Sequence, residues 1–327
     1  MLNRRGALLS HGPLIFCLLA AVSARADEDQ PRPSIWVDMI HGEPVSYETV
    51  LEDLASVRVV YLGESHRLER HHGIQARIVG DLGRRDVPMV LGIEQLGAYQ
   101  QPHLDKYNRG EIDFDQLAEA TEWAKHWSNY KDYRPIVEAA REAGAPVLAL
   151  NARSSTIRQV ARGGGIAKLD PQLRKELPDD IQTEDPPYEK LLNIYMMVHA
   201  SVTRERLRPI VEAQIARDEQ MASVLSSFLK SPAGKGRTAV VICGSGHAEF
   251  GLGTPARVRR RMPNVKERIV LLSQSGDVEL TPDEVAMSRE IEVTHEQLRA
   301  LNRPVADYLH VRGLRRESEG ESKETCP

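Results

Sequence analysis

The chain carries six short runs of apolar and β-branched residues that stand apart from more polar surroundings. These runs lie at residues 57–62, 88–93, 145–150, 238–243, 268–272 and 305–311. Continuous apolar runs of this length, bounded by glycine, proline or polar residues, are typical of buried strands. We therefore predict six strands, the last of which would lie at an edge of the sheet.

Helical patterns occupy most of the chain between these strands. In residues 70–83 the apolar positions recur with a period of about 3.6 residues, which predicts one helix. Residues 113–144 predict helix in two pieces with a break near Asn129. Residues 188–230 predict a long helical region whose two parts would meet near Pro209, because proline removes a helix hydrogen bond.

The order of these elements indicates the fold class. Strands that alternate with helices indicate an α/β fold with a mostly parallel central sheet flanked by helices. Residues 188–230 would form a helical insertion in it. Residues 163–187, rich in glycine, proline and aspartate, would form a long loop of the kind that often carries function. We expect one such domain over residues 35–311.

The N-terminal segment has the pattern of an export signal. Arg4 and Arg5 precede a short apolar stretch, and Ala24-Arg25-Ala26 has the small-residue spacing of a cleavage site. We therefore predict a signal peptide over residues 1–26 and a periplasmic protein. The alternative is an outer-membrane lipoprotein anchored through Cys17, although the residues just before that cysteine are bulky.

Two polar segments flank the predicted domain. Residues 27–34 contain proline and charged residues and predict a linker, and residues 312–327 are charged and poor in apolar residues, which predicts a disordered tail. No other apolar run approaches the length of about 20 residues that a membrane-spanning helix needs. The mature chain should therefore have no transmembrane span.

Composition excludes several classes of function. The 327 residues include 43 Lys and Arg against 47 Asp and Glu, a formal net charge of −4, and 5% aromatic residues. Such a balance lacks the basic surface that nucleic acid requires. Three scattered cysteines are too few for a disulfide framework or a cysteine-rich zinc site.

Polar side chains follow four of the predicted strands at the point where each strand ends. They are Glu64 and His66 after the first, Glu94 after the second, Asn151 after the third and His247 after the fourth. In an open parallel sheet, ligands bind at the carboxyl ends of the strands, where the following loops converge. We expect these five side chains to face one site.

Two chemical interpretations of this set remain open. Two imidazoles and a carboxylate suit a divalent metal, so His66, Glu94 and His247 could be metal ligands. In a hydrolase of that type Glu64 would act as general base on a bound water. Alternatively, the histidines only cap strand ends through hydrogen bonds.

Several segments resemble the ChaN-like haem-binding family. The segments that carry the resemblance lie between residues 57 and 272 and are Val60–His66, His71–Gln75, Tyr133–Val137, Ala149–Ala152, Gln214–Ala222, Gly244–His247 and Gly251–Gly253. The wider superfamily includes the Tiki-type metalloproteases and looks related to the erythromycin esterases. Its working residues match His66, Glu94 and His247, and the resemblance adds His72 to the ligand-binding set.

The resemblance implies an exported haem- or iron-compound-binding protein in haem or iron uptake, with haem as cofactor. In this family haem is held through a tyrosine oxygen. Many members carry a tyrosine shortly after the late histidine, where this chain has Phe250. The tyrosines left as candidates are Tyr99, Tyr130, Tyr133, Tyr188 and Tyr195.

Three functional hypotheses follow. The first is the haem-binding protein, the second a metal-dependent hydrolase of the Tiki-protease or esterase type, and the third a structural or partner-binding domain. A homodimer is left open under each. Two further patterns have ordinary interpretations. Trp123 and Trp127, four residues apart, predict a shared helix face in the core or at a pocket rim, and Arg257–Arg261 predict a solvated helix face.

Overall fold

A computed structural model describes residues 34–197, 204–275, 299 and 301–313. The predicted signal peptide, nearly all of the predicted linker and residues 314–327 of the predicted tail lie outside the described residues. Ser34 is the first residue of a strand instead of the end of the linker, and Arg312 is the last residue of another strand instead of the start of the tail.

The described residues form eight strands in one sheet. They are β1 (Ser34–Asp38), β2 (Glu43–Val45), β3 (Val59–Glu64), β4 (Met89–Gly97), β5 (Val147–Asn151), β6 (Thr238–Gly244), β7 (Glu267–Leu272) and β8 (Tyr308–Arg312). The strand order is β2-β1-β8-β7-β3-β6-β4-β5. All neighbours from β8 to β5 are parallel, and only β1 and β2 run antiparallel to their partners.

Helices cover both faces of this sheet. They are α1 (Tyr47–Ala55), α2 (Glu69–Arg84), α3 (Gln101–Asn108), α4 (Phe114–Ala120), α5 (Trp123–His126), α6 (Arg134–Glu142), α7 (Ser154–Gly163), α8 (Pro171–Arg174), α9 (Pro186–Met197), α10 (Arg204–Lys230) and α11 (Thr254–Arg261). The predicted fold class is confirmed: a mixed α/β fold with a mostly parallel sheet flanked by helices.

Alternation along β3 shows how the sheet divides the core. Val60 and Leu62 face the apolar cluster under the helices between α1 and α6, whereas Val59 and Tyr61 face the cluster under α10 and α11. Both sides of the strand are therefore buried, which explains why its sequence is continuously apolar.

Local signals fix several helix ends. The Ser46 hydroxyl accepts a hydrogen bond from the Thr49 N–H at the start of α1, and Asp113 forms a capping box with Gln116 at the start of α4. Helix α7 is followed by its C-cap residue Gly164, whose φ of 93° lies in the left-handed region that glycine adopts without strain.

The predicted helix junction near Pro209 is wrong. Helix α10 runs without a break from Arg204 to Lys230 and contains Pro209 inside it. A proline inside a helix removes one backbone hydrogen bond, and the remaining residues of α10 keep the helix continuous through this position.

The predicted loop over residues 163–187 is partly structured. A 3-10 turn at Ile166–Lys168 and helix α8 interrupt it, and the Ile166 N–H donates to the Glu212 carboxylate 2.8 Å away. No helix in the described part of the chain combines the length and the apolar character needed to cross a membrane.

Candidate functional site

The middle of the sheet brings three distant segments of the chain to one edge. Strand β6 pairs with β3 on one side and with β4 on the other, and Glu64 at the end of β3 is in register with Gly244 at the end of β6. Glu94 lies in β4, which continues to Gly97, further than predicted. Asn151 ends β5 opposite Gly97.

These strand ends line a crevice with two lobes. The histidine lobe, about 470 Å³, is lined by Glu64, His66 and His247 among others. The tryptophan lobe, about 350 Å³, is lined by Trp123, Trp127 and Asn151 among others. Because Glu94 and Arg217 line both lobes, we treat the two as one strand-end crevice.

Glu64 is the centre of a hydrogen-bond network at the floor of the histidine lobe. Its Oε1 atom accepts hydrogen bonds from the Tyr133 hydroxyl at 2.6 Å, from His66 Nδ1 at 2.9 Å and from Gln95 Nε2 at 3.2 Å. Burial alone would raise the pKa of Glu64, but the hydrogen bonds from His66 and Tyr133 and the nearby His72 lower this pKa to about 2. Glu64 is therefore an anion at neutral pH.

His72 lies behind this network, away from both lobes. The side chain is buried, and its Nε2 atom is 3.3 Å from Glu64 Oε2, at ion-pair distance but without the geometry of a hydrogen bond. Its ring packs against Tyr133 with centroids 4.5 Å apart. Its other ring nitrogen, Nδ1, lies 4.0 Å from Asp132 Oδ2. His72 therefore supports Glu64 from behind and does not line either lobe.

His66 is the more accessible of the two imidazoles that line the histidine lobe. Its side chain is 35% exposed, and the ring meets Trp127 edge to face with centroids 4.8 Å apart. A Cβ atom on Gly244 would lie 2.7 Å from His66 Nε2, so only glycine at that position lets the ring come so close to β6. Burial lowers the pKa of His66, but the bond to Glu64 and the charge of Glu94 outweigh this and raise it.

A second network links Glu94, His247 and Asp218. The Nδ1 atom of His247 is 2.7 Å from Asp218 Oδ1, and its Nε2 atom is 3.2 Å from Glu94 Oε1. The Gly244 N–H donates to Glu94 Oε2 at 2.7 Å. Although burial opposes the charged form, the two carboxylates raise the pKa of His247 to about 10, and the His247 charge lowers the pKa of Glu94. The imidazole is thus held as a cation between two anions.

Asp218 has no role in the strand-end prediction, yet it organises this network from helix α10. Besides His247, it accepts hydrogen bonds from the Thr254 hydroxyl and the Tyr188 hydroxyl, each at 2.8 Å. Arg217, the preceding residue, also reaches the crevice. The strand-end argument could not find either residue, because both lie on a helix; only the resemblance of the segment Gln214–Ala222 pointed to this helix.

The three predicted metal ligands meet in the histidine lobe but are engaged with other partners. Glu94 and His247 contact each other, the second nitrogen of His247 contacts Asp218, and His66 bonds Glu64. Within the described residues no group of three or more His, Cys, Asp or Glu side chains is arranged to hold a metal ion. The metal assignment stays a prediction, and this arrangement does not fit it.

Replacing Gly253 with alanine should disrupt the second network. The added Cβ atom would lie 2.2 Å from the His247 carbonyl oxygen and 3.1 Å from Asp218 Oδ1, so backbone would have to move. We expect a loss of roughly 1–3 kcal/mol or more in unfolding free energy, measured by chemical denaturation. Gly246→Ala is the matched control, since no atom lies within 4 Å of its added Cβ; equal stability of both variants would contradict the prediction.

Comparison with known families now identifies the chain. Residues 50–258 match the family described as haem-binding uptake, Tiki superfamily, ChaN. The chain belongs to this family. The resemblance expected from the sequence is thereby confirmed, and the match includes Glu64, His66, Glu94, Asn151 and His247.

Two solved structures are similar to this chain at low sequence identity. The structure of cofacial haem binding to ChaN of Campylobacter jejuni is 22% identical, covers 86% of this chain and 97% of that chain, and superposes with a TM-score of 0.62, which shows the shared fold. The erythromycin esterase EreC in its open conformation is 11% identical over 69% of this chain and 72% of that one, with a TM-score of 0.41.

A plant protein is also similar in sequence. Protein RETICULATA-RELATED 5, chloroplastic, of Arabidopsis thaliana is 25% identical over 258 residues, which is 71% of this chain and 34% of that protein. The chain therefore spans about a third of the length of this relative.

The five candidate tyrosines differ in how exposed they are and in whether their hydroxyls already have a hydrogen-bond partner. Tyr133 and Tyr188 are buried, with hydroxyls that donate to Glu64 and Asp218. Tyr130 is partly buried and stacks on Phe114. Tyr195 is 39% exposed, but its hydroxyl donates to Glu249, whereas Tyr99 is 44% exposed and lines the tryptophan lobe.

The basic run on helix α11 is not a solvated face as expected. Arg257 is buried, and Arg260 and Arg261 each lie 2.7 Å from the fully buried carboxylate of Glu219. Arg261 also pairs with Asp180 at 2.6 Å. These cations attach α11 to α10 and so hold in place the helix that carries Asp218.

Proposed function

We propose that this protein binds haem at the mouth of the strand-end crevice, with the phenol of Tyr99 as the iron ligand. The observation that carries the proposal is the position of Tyr99: among the five candidate tyrosines it is the one that is exposed, lines the crevice and has no hydrogen bond to its hydroxyl within the described residues. Membership of a haem-binding family supports the choice of ligand.

The residues around Tyr99 fit such a ligand. Tyrosine oxygen is a known axial ligand of haem iron. The Arg153 guanidinium stacks on the Tyr99 ring, 3.7 Å from its centroid, and helps to hold the ring at the lobe. Trp127 offers an aromatic surface on the other side of the lobe. Bound haem would supply an iron centre, and these side chains would orient it.

The predicted strand-end residues take supporting roles in this proposal. Glu64, His66, Glu94, Asn151 and His247 form the polar floor below the ligand. His72 fixes Glu64 from behind. The proposal also includes export by residues 1–26 and a part in haem or iron uptake in the periplasm, with the lipid anchor at Cys17 as the alternative.

Replacing Tyr99 with phenylalanine should abolish or shift the Soret band that appears when haemin is added to the purified protein. Phenylalanine keeps the ring contact with Arg153 but removes the ligand oxygen. Tyr195→Phe is the matched control, since it removes another exposed phenol and should leave the spectrum unchanged. A normal spectrum for Tyr99→Phe, or no Soret change with the unmodified protein, would overturn the proposal.

The position of haem relative to the histidine lobe is tested separately. Haem at the mouth of the crevice should contact the exposed imidazole of His66, so His66→Ala should weaken haemin binding, whereas the buried His247 should matter less. A Soret shift that is identical in His66→Ala and in the unmodified protein would place haem away from the crevice.

A second candidate function is hydrolysis by general acid–base catalysis. The observation that favours it is the pair of carboxylate–imidazole contacts, Glu64 with His66 and Glu94 with His247, in one lobe. A carboxylate that orients an imidazole and stabilises its cation is a common catalytic arrangement. Saturable turnover of p-nitrophenyl esters that disappears in His66→Ala and His247→Ala would favour this candidate; no turnover beyond that of the double variant would exclude ester hydrolysis.

A further inference from the structure

We infer that the tryptophan lobe binds the charged end of a small organic anion, a carboxylate or a phosphate ester, between Arg158 and Arg217. This inference does not rest on haem binding. It rests on cations at the lobe that lack a carboxylate partner, and it concerns ligands that can enter the lobe without any metal or porphyrin.

Arg217 is the inner cation of the lobe. It lies on α10 and is partly buried, and its one polar contact among the described residues is a 3.3 Å hydrogen bond from Nη1 to Asn151 Oδ1. No carboxylate in the described chain lies within 4.0 Å of its guanidinium, although Glu94 and Asp218 are close enough to favour its charge. A partly desolvated guanidinium with one neutral partner has unused donors for an oxyanion.

Arg158 is the outer cation, on the exposed side of α7. It also lines the lobe and makes no ion pair to any described residue. Burial first, and the neighbouring charge of Arg158 in addition, lower the pKa of Arg217. Both guanidinium groups line the same lobe, so an anion placed between them would reduce their mutual repulsion and accept charge-assisted hydrogen bonds from both.

The backbone adds to this positive field. Helix α7 starts at Ser154, which lines the lobe, and its N-cap residue Arg153 provides no side-chain cap. The first turn contains no acidic residue, and the carboxylate that reaches it, Glu176, contacts the Thr156 hydroxyl and the Arg153 guanidinium; no hydrogen bond from a backbone N–H of this turn to Glu176 is present in the described residues. Helix N-termini with free N–H groups attract anions, as the two arginines do.

The rest of the lobe indicates an organic anion and not a bare ion. Trp127 and Tyr99 form aromatic walls, and the indole Nε1 of the buried Trp123 has no hydrogen-bond partner in the described residues. Lys125 and His126 lie at the rim. Glu94 contributes the one acidic wall, and its oxygens are already occupied by the Gly244 N–H and by His247. Aromatic walls with a basic end suit a flat apolar body with one negative group.

Binding of benzoate and phenyl phosphate to the haem-free protein tests this inference. Isothermal titration calorimetry, with tryptophan fluorescence as a second readout, should show saturable binding of both ligands and none of the neutral analogue benzyl alcohol. Acetate and inorganic phosphate serve as further probes: weaker binding of these two than of benzoate and phenyl phosphate is expected if the aromatic walls contribute.

Variants assign the binding to the two arginines. Arg158→Gln and Arg217→Gln should each weaken benzoate binding about tenfold or more. Arg162→Gln is the matched control: it removes an exposed arginine from the same helix that does not line the lobe, and it should bind like the unmodified protein. Because Arg158 is exposed, its variant stays informative even if Arg217→Gln is unstable.

The outcomes that overturn the inference are distinct from failure of the haem proposal. Equal binding of benzyl alcohol, no binding of either anion, or unchanged affinity in Arg158→Gln would each overturn the inference. The Soret experiment on Tyr99→Phe is read in the absence of these anions, so each proposal can fail while the other holds.

Discussion

Replacing Glu219 with alanine should lower the free energy of unfolding by about 3–5 kcal/mol, the range found when one partner of a buried ion pair is removed. Glu219 is fully buried on α10. Its Oε1 atom lies 2.7 Å from a guanidinium nitrogen of Arg260, and its Oε2 atom lies 2.7 Å from one of Arg261. Its Oε1 also lies 3.6 Å from Nε of Arg257, which is itself buried. Alanine would leave these cations without their shared anion.

Chemical denaturation of Glu219→Ala beside two controls measures this effect. Glu219→Gln keeps the volume and one acceptor, so it should lie between alanine and the unmodified protein. Glu111→Ala removes the acid of an exposed pair with Arg109 and should leave the denaturation midpoint unchanged. Similar midpoints for Glu219→Ala and Glu111→Ala would show that the arginines of α11 find other partners.

The parallel strands could be predicted because each of them can be recognised from its own local sequence. Strands β3, β4, β5, β6 and β7 are buried almost throughout, so each is a continuous apolar run. Strands β1 and β2 were missed, since they are short and largely exposed. The place of β1 in the sheet depends on pairing with a strand that is distant in sequence: β1 pairs with β8, and the ring of Trp36 packs against His310 with centroids 4.7 Å apart.

The convergence of the strand-end residues was predictable for a topological reason. Parallel strands end at one edge, so Glu64, Glu94 and His247 meet although the chain separates them widely. Their partners were not predictable in the same way. Asp218 and Glu219 stand in a helix among other charged residues, and nothing in the local pattern marks them as buried; only the packing of α10 against the sheet and α11 does so.

Replacing Asp218 with alanine should have an effect of similar size, about 3–5 kcal/mol, and should change the site as well. Asp218 is fully buried and accepts hydrogen bonds from His247, Tyr188 and Thr254. Without it, an imidazolium and two hydroxyl groups lose their acceptor in the protein interior. Buried donors without a partner are costly, and the charged one is the most costly.

Asp218→Asn separates the loss of charge from the loss of shape. The amide keeps the volume and one acceptor oxygen, so unfolding free energy should fall less than in the alanine variant. Burial already opposes the charged form of His247, and Asp218 is one of the two carboxylates that raise its pKa to about 10. The pKa of His247 should therefore decrease in Asp218→Asn, which ¹H–¹⁵N spectra of the imidazole ring can follow during a pH titration.

The two Asp218 variants together show whether Asp218 keeps His247 protonated or only packs α10 against the sheet. If Asp218 holds His247 as a cation facing Glu94, the asparagine variant remains folded but releases the His247 proton at lower pH. Since the contact between His247 and Glu94 is an ion pair only while the imidazole is protonated, Glu94 then loses a partner and becomes freer to meet a ligand in either lobe. An unchanged His247 titration in a folded Asp218→Asn protein would mean that Glu94 alone holds the charge, and that Asp218 serves only to pack α10 against the sheet.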